Sequence, residues 1–219
     1  DLDLQWSVPY STAMSLENGK PWPRWFVDGR INYVENAVDR HAGGDGRSRI
    51  AVTWEGDDGD RRQLTYAGLL TEVHRCANAL TSLGVRKGDR VGIFLPMLPE
   101  TVVATLACGK IGAVYIPLFS GYGDDAIASR LNDCEATTLI TADGFPRRGK
   151  IIPMKQVADE ALANAPTVTN CIVLRRSGQD VDWKAGRDHW WHELVDTRSA
   201  VAETVETDAS DPYMIIYTS

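Results

Sequence analysis

From Val91 onward, short apolar runs alternate with amphipathic stretches of about 10 to 13 residues, and this alternation limits the possible folds more than any other feature. Val91 to Leu95, Val114 to Leu118, Thr138 to Thr141 and Cys171 to Leu174 read as strands, with Tyr213 to Tyr217 as a last, buried one. Pro99 to Ile111, Asp124 to Cys134 and Met154 to Ala165 read as the helices between them, and Asp188 to Val195 as a shorter helix. Strands this short and apolar are covered on both faces, and parallel neighbours joined through helices require right-handed crossovers. The pattern therefore predicts an α/β fold, a doubly wound and mostly parallel sheet with flanking helices. Ligands of such sheets sit beyond the carboxyl ends of the strands.

The first ninety residues are less regular. Residues 1–30 carry Trp6, Pro9, Pro21, Trp22, Pro23, Trp25 and Phe26, which suggests an irregular wrapping arm rather than helix or sheet. Ile31 to Arg40 has helical apolar spacing. Ile50 to Glu55 and Arg61 to Tyr66, joined by the acidic Gly56-Asp57-Asp58-Gly59-Asp60, read as a β-hairpin. Thr65 can cap the helix that follows, whose stripe is Leu69, Val73, Cys76, Ala77 and Leu80 and whose end is Gly84. Arg175 to Arg187 is one long polar connection.

Composition excludes several classes. With 43% hydrophobic and 24% charged residues in 219, the chain can bury a core and is not of disordered composition. A net charge of −7 opposes a nucleic-acid binder with a broad basic face, so any anion site must be local. Cys76, Cys108, Cys134 and Cys171 are too widely spaced for a metal or disulfide framework, so free thiols and a cytoplasmic setting are expected. The most apolar stretch, Thr101 to Ile116, is broken by Lys110 and is too short for a membrane span.

Several motifs compete for the chemistry. Gly121-Tyr122-Gly123-Asp124-Asp125-Ala126 fits a dinucleotide fingerprint, with Asp143 about 20 residues on. Asp124 and Asp125 would, however, fill the first helical turn, where a pyrophosphate must sit; they complement the helix dipole instead. Thr141 to Lys150 places Arg147, Arg148 and Lys150 around Gly149 after a strand, which is either a compact phosphate clamp or a solvated basic loop. His189 and His192 flank Trp190 and Trp191 next to Glu193 without the His-Glu-x-x-His spacing, so packing and surface roles are expected and no metal is assigned. Cys108 reads as core rather than nucleophile.

The last residues, Tyr213-Met214-Ile215-Ile216-Tyr217-Thr218-Ser219, deliver hydroxyls to the tip of an apolar run, a common lead-in to a glycine-rich phosphate turn. This ending resembles the start of the Tyr-Thr-Ser-Gly-Thr-Thr-Gly-x-Pro-Lys-Gly phosphate loop of the adenylate-forming enzymes, the superfamily of acyl-CoA synthetases and luciferases. Trp25-Phe26-Val27-Asp28-Gly29-Arg30-Ile31-Asn32, with Asp39-Arg40-His41, is similar to the entry segment of acetyl-CoA synthetase and its short-chain acyl relatives. So are Gly88-Asp89-Arg90-Val91, Pro96-Met97-Leu98-Pro99-Glu100 and Ala107 to Val114.

The resemblance implies an N-terminal wrapping segment over 1–45 and, over 46–219, the first part of an AMP-binding domain that stops at the phosphate loop. It implies activation of a short- or medium-chain carboxylic acid with ATP and Mg²⁺ to an acyl-adenylate, then transfer to coenzyme A. Arg147, Arg148, Gly149 and Lys150 fall on coenzyme A positions, although Arg148 replaces a glycine and Lys150 an arginine. Thr218 and Ser219 fall on the start of the ATP phosphate loop. The family's catalytic lysine and acyl pocket belong to later segments, so no catalytic residue is expected here and the piece alone is expected to be inactive. The alternative is a non-catalytic α/β module that binds CoA or another partner.

Overall fold

A computed structural model describes residues 3–218. In chain order the strands are β1 Thr12–Ser15, β2 Arg24–Val27, β3 Ile50–Glu55, β4 Arg61–Thr65, β5 Arg90–Ile93, β6 Val114–Pro117, β7 Thr138–Ala142, β8 Phe145–Arg147, β9 Lys150–Ile152, β10 Asn170–Leu174 and β11 Asp188–Trp190. The helices are α1 Arg40–Ala42, entered through a π-helical stretch Glu35–Asp39, then α2 Tyr66–Ser82, α3 Pro99–Lys110, α4 Asp124–Asp133, α5 Met154–Ala163 and α6 Trp191–Leu194.

The main sheet is parallel, with strand order β11-β10-β7-β5-β6. β7 is buried along its whole length, as expected of a strand covered on both faces. Helix α2 packs on α3 and α4 on α5. The winding starts at β5, moves outward to β6, then returns past β5 to β7 and on to β10. Its reversal opens a crevice between the ends of β5 and β7, the switch point at which doubly wound sheets bind ligands. Helix α2 starts where Thr65 Oγ1 accepts from Gly68 N (3.1 Å) and stops at Gly84, whose φ is +90°.

Four expectations are corrected. The arm is partly sheet: β1 and β2 pair antiparallel, and Arg30 bridges both Val8 and Asp208. Asp188–Trp190 is an edge strand on β10 rather than helix, which leaves α6 only four residues. The run 213–217 makes a single parallel bridge, Tyr115 to Met214, and Ile216 is 62% exposed, so it is neither a regular nor a buried strand. The basic stretch after β7 is a second small hairpin, β8–β9.

Residues 196–212 form an extended strap that ties the arm to the body. Asn78 Nδ2 donates to Ser199 O and Val201 O, each at 2.9 Å. Asn32 Nδ2 donates to Gly109 O and Val205 O, each at 2.9 Å. Beneath the strap, Lys110 is 1% exposed and its ammonium donates to Asp39 Oδ1 (2.6 Å) and Thr204 Oγ1 (2.7 Å). A buried cation persists only with such partners.

Candidate functional site

The loops at the switch point enclose a cavity of about 230 Å³. Pro96, Met97 and Leu98 come from the loop after β5, Phe119 and Ser120 from the loop after β6, and Phe145, Pro146 and Arg147 from β8 just after β7. Arg176 follows β10, and Trp54 to Asp57 from the β3–β4 hairpin close the far wall. Met97 is 80% and Phe119 59% exposed, so the rim presents apolar surface that a planar ligand could cover.

Asp143, at the tip of β7, organises this end of the sheet. Its buried carboxylate accepts from Gly144 N (2.7 Å), Arg176 N (2.8 Å), Ser177 N (2.9 Å) and Gly178 N (2.7 Å). One side chain thus fixes both the strand that carries Arg147 and the loop that carries Arg176. The backbone donors consume the acceptor capacity that a dinucleotide ribose would need, and Asp124 and Asp125 do occupy the first turn of α4. The dinucleotide reading therefore fails on both counts. At Gly144 an added Cβ would lie 2.7 Å from Ile152 O, so β8 can turn back onto β9 only with glycine there.

The β8–β9 turn consists of Arg148 and Gly149, with φ of +51° and +73°. Two successive left-handed residues make the tight turn typical of two-residue hairpins. Arg147 pairs directly with Lys150, so the two cations stand side by side on one face of the ribbon with Phe145 and Ile152. Arg147, Arg148, Gly149 and Lys150 are all exposed, and none of the three charged ones forms an ion pair among the described residues. Of the four, only Arg147 lines the cavity.

The opposite wall is pinned by the hairpin. Trp54 Nε1 donates to Met97 O (2.6 Å), and Arg62 donates to Glu100 Oε1 (2.6 Å). Arg176 lies over the Trp54 ring, 5.5 Å from its centroid, and its guanidinium pairs with Asp58 and, at 3.7 Å, with Asp60. That guanidinium holds the Asp58 carboxyl below the usual carboxylate range. Sequence reasoning missed Trp54, Met97, Phe119 and Arg176 as cavity walls. The rule that ligands bind beyond the strand ends at the switch point would have singled out Met97, after β5, whereas Phe119 reaches the cavity from the loop after β6.

Thr218 is not part of this lining. The preceding Tyr217 hydroxyl donates to Asp133 Oδ2 (2.6 Å) at the end of α4, and Arg130 is sandwiched between the rings of Tyr122 (4.4 Å) and Tyr217 (5.3 Å). Ser219 lies outside the described residues. Asp188–Trp190 being strand, His189 and His192 do not share a helix, and no group of three His, Cys, Asp or Glu side chains among the described residues converges as a metal site. No described helix is long and apolar enough to cross a membrane. All four cysteines are free and buried, and burial pushes the Cys108 thiol up to about 12, which suits core packing rather than a nucleophile.

Residues 38–219 match the family described as AMP-binding enzyme, and residues 1–37 match the acetyl-coenzyme A synthetase N-terminus. An acetyl-coenzyme A synthetase of Streptomyces coelicolor is 47% identical over 216 residues, covering 99% of this chain and 33% of the relative. One from Methanothrix thermoacetophila is 46% identical over 215 residues, covering 98% of this chain and 32% of the relative. The solved structure of acetoacetyl-CoA synthetase from Streptomyces lividans superposes with a TM-score of 0.89 at 27% identity, over 99% of this chain and 32% of that one. The chain thus spans about a third of the length of the curated relatives it matches.

Proposed function

The chain belongs to the AMP-binding enzyme family, and from that premise we propose that it forms the coenzyme A-binding front of an ATP-dependent acid–thiol ligase. Residues 1–45 act as the wrapping segment and 46–219 as the first part of the adenylation domain. The single observation that carries the reading is the switch-point cavity, where an unpaired Arg147 stands beside exposed aromatic and apolar surface in a chain of net charge −7. A phosphorylated nucleotide has that complementary character, with a planar base for Phe119 and Met97 and phosphates for the hairpin cations.

The overall reaction proceeds in two displacements. A carboxylate oxygen of a short- or medium-chain acid attacks the α-phosphorus of ATP and pyrophosphate leaves; the coenzyme A sulfur then attacks the acyl carbon and AMP leaves. In this scheme Arg147 and Lys150 hold the nucleotide end of coenzyme A through charge-assisted hydrogen bonds. Arg148 contributes a third charge at the turn, and Gly149 lets the ribbon reverse so that both flanking cations face one side. Thr218 and Ser219 begin the segment that grips ATP. The described residues offer no cluster suited to Mg²⁺, and no step is assigned to that ion. A protein of this kind works in the cytoplasm, and the 219 residues alone do not turn over substrate.

Steady-state kinetics of the protein at its natural length test the reading. Arg147→Ala and Lys150→Ala are each expected to raise the KM for coenzyme A about tenfold, the loss of one charge-assisted hydrogen bond, while the KM for ATP stays put. An unchanged coenzyme A dependence in both variants refutes the assignment.

A further inference from the structure

Arg176 faces the same cavity as Arg147 from a different loop, yet the acidic turn of the β3–β4 hairpin engages it. We infer that Arg176 is a second phosphate-binding cation of this cleft, held in reserve by Asp58 and released to an anionic nucleotide on binding. The inference rests on the cleft being a nucleotide site and adds a residue and a charge-exchange step to it.

The Asp58–Arg176 pair is redundant as a fastener, because both elements are anchored without it. The hairpin is fixed by Trp54 Nε1 on Met97 O (2.6 Å) and by the Arg62–Glu100 pair (2.6 Å). The loop is fixed by Asp143, which receives the backbone N–H groups of Arg176 (2.8 Å), Ser177 (2.9 Å) and Gly178 (2.7 Å). Neither anchor uses the Arg176 guanidinium, so its side chain can change partner while the backbone stays in place.

Charge accounting points the same way. Asp57, Asp58 and Asp60 stand on one short turn and Glu55, paired with Arg61 (3.0 Å), ends the strand before it; Glu55 and Asp57 line the cavity directly. An entering phosphate would meet this acidic wall with Arg147 as its one free cation in the lining. Turning Arg176 from Asp58 to the phosphate supplies a second cation. A planar guanidinium favours a doubly charged phosphate that can accept two parallel hydrogen bonds. The pair given up costs little, since partly exposed ion pairs contribute only about 0–1 kcal/mol. The exchange breaks and forms hydrogen bonds only; no covalent bond changes.

Calorimetric binding of adenosine 3′,5′-bisphosphate and of coenzyme A to the protein at its natural length separates exchange from simple bracing. Asp58→Asn frees Arg176 and is expected to tighten binding about three- to tenfold at low salt. Arg176→Gln is expected to weaken it about tenfold, with Arg176→Lys between. In the double variant Asp58→Asn/Arg176→Gln, the gain from Asp58→Asn disappears. Thermal melting of each variant checks that the fold is retained, and Asp60→Asn offers a milder version of the same release. Weaker or unchanged binding in Asp58→Asn overturns the exchange, as does a gain that survives in the Arg176→Gln background. If Arg147→Ala weakens binding but no Arg176 variant does, only this proposal falls; if Arg147→Ala is also silent, the nucleotide reading of the cleft falls with it.

Discussion

Lys110 and Lys155 are each 1% exposed, whereas Arg147, Arg148 and Lys150 stand in solvent on the β8–β9 hairpin. The buried pair is saturated with partners. Lys155 donates to Asp159 (2.7 and 2.8 Å) and Asp182 O (3.0 Å) and pairs with Asp188 (2.9 Å), while Lys110 is held by Asp39 and Thr204. The hairpin cations pair with no carboxylate among the described residues. Equal charges therefore do opposite work: buried ones fasten elements because desolvation demands a partner, and exposed ones remain free to attract a ligand.

The largest expected effect breaks the buried side. Lys110→Met leaves Asp39 under the strap without its cation and is expected to cost about 3–5 kcal/mol, read from the denaturant midpoint. A loss below about 1 kcal/mol would mean that the strap does not depend on this pair.

Acid comes next. Burial alone pushes the Asp188 carboxyl up, but the Arg187 guanidinium, the Lys184 backbone N–H and Lys155 outweigh it and hold the group below the usual carboxylate range. The unfolded carboxyl protonates near pH 3.9, roughly, and the folded one only at lower pH, so its contribution is whole above that value and lost as pH falls through the folded one. Denaturant midpoints at descending pH should therefore fall more steeply in the wild type than in Asp188→Asn. Parallel curves would detach Asp188 from acid stability.

On the exposed side, Arg147→Ala should leave stability within about 0.5 kcal/mol while weakening coenzyme A binding, a separation that Lys110→Met cannot show. A drop in melting temperature matching the loss of binding would make Arg147 a structural residue after all. The smallest effect is expected at Arg148, whose φ of +51° carries strain that glycine avoids. Arg148→Gly should change stability by less than about 1 kcal/mol and alter coenzyme A binding less than Arg147→Ala. A larger effect on binding than at Arg147 would move the centre of the clamp to the turn.

Apart from the small β8–β9 hairpin, the strands and helices between Val91 and Leu174 were legible because local periodicity and burial agree there; apolar runs such as Thr138–Ala142 have no exposed face to confuse the pattern. The failures lie where a distant partner decides. Thr12–Ser15 and Arg24–Val27 pair across a Pro- and Gly-bearing loop that local spacing does not reveal. Asp188–Trp190 carries a helix-like spacing of His189 and His192, yet the open edge of β10 recruits it as strand. Tyr213 to Tyr217 has the composition of a strand, but its pairing with the sheet is confined to the one bridge of Met214 to Tyr115.

The candidate site divides in the same way. Arg147 to Lys150 stood out as cations clustered around a glycine in an acidic chain, whereas Trp54, Met97, Phe119 and Arg176 are scattered from position 54 to position 176 and meet only in the cavity. Sequence by itself determined the α/β alternation, the family and the basic cluster, because periodicity, motif and charge are properties of neighbouring residues. Which cations are free and which are held was decided only by the tertiary structure, because partnership depends on carboxylates that the fold brings in from elsewhere, as Asp39 reaches Lys110 and Asp58 reaches Arg176.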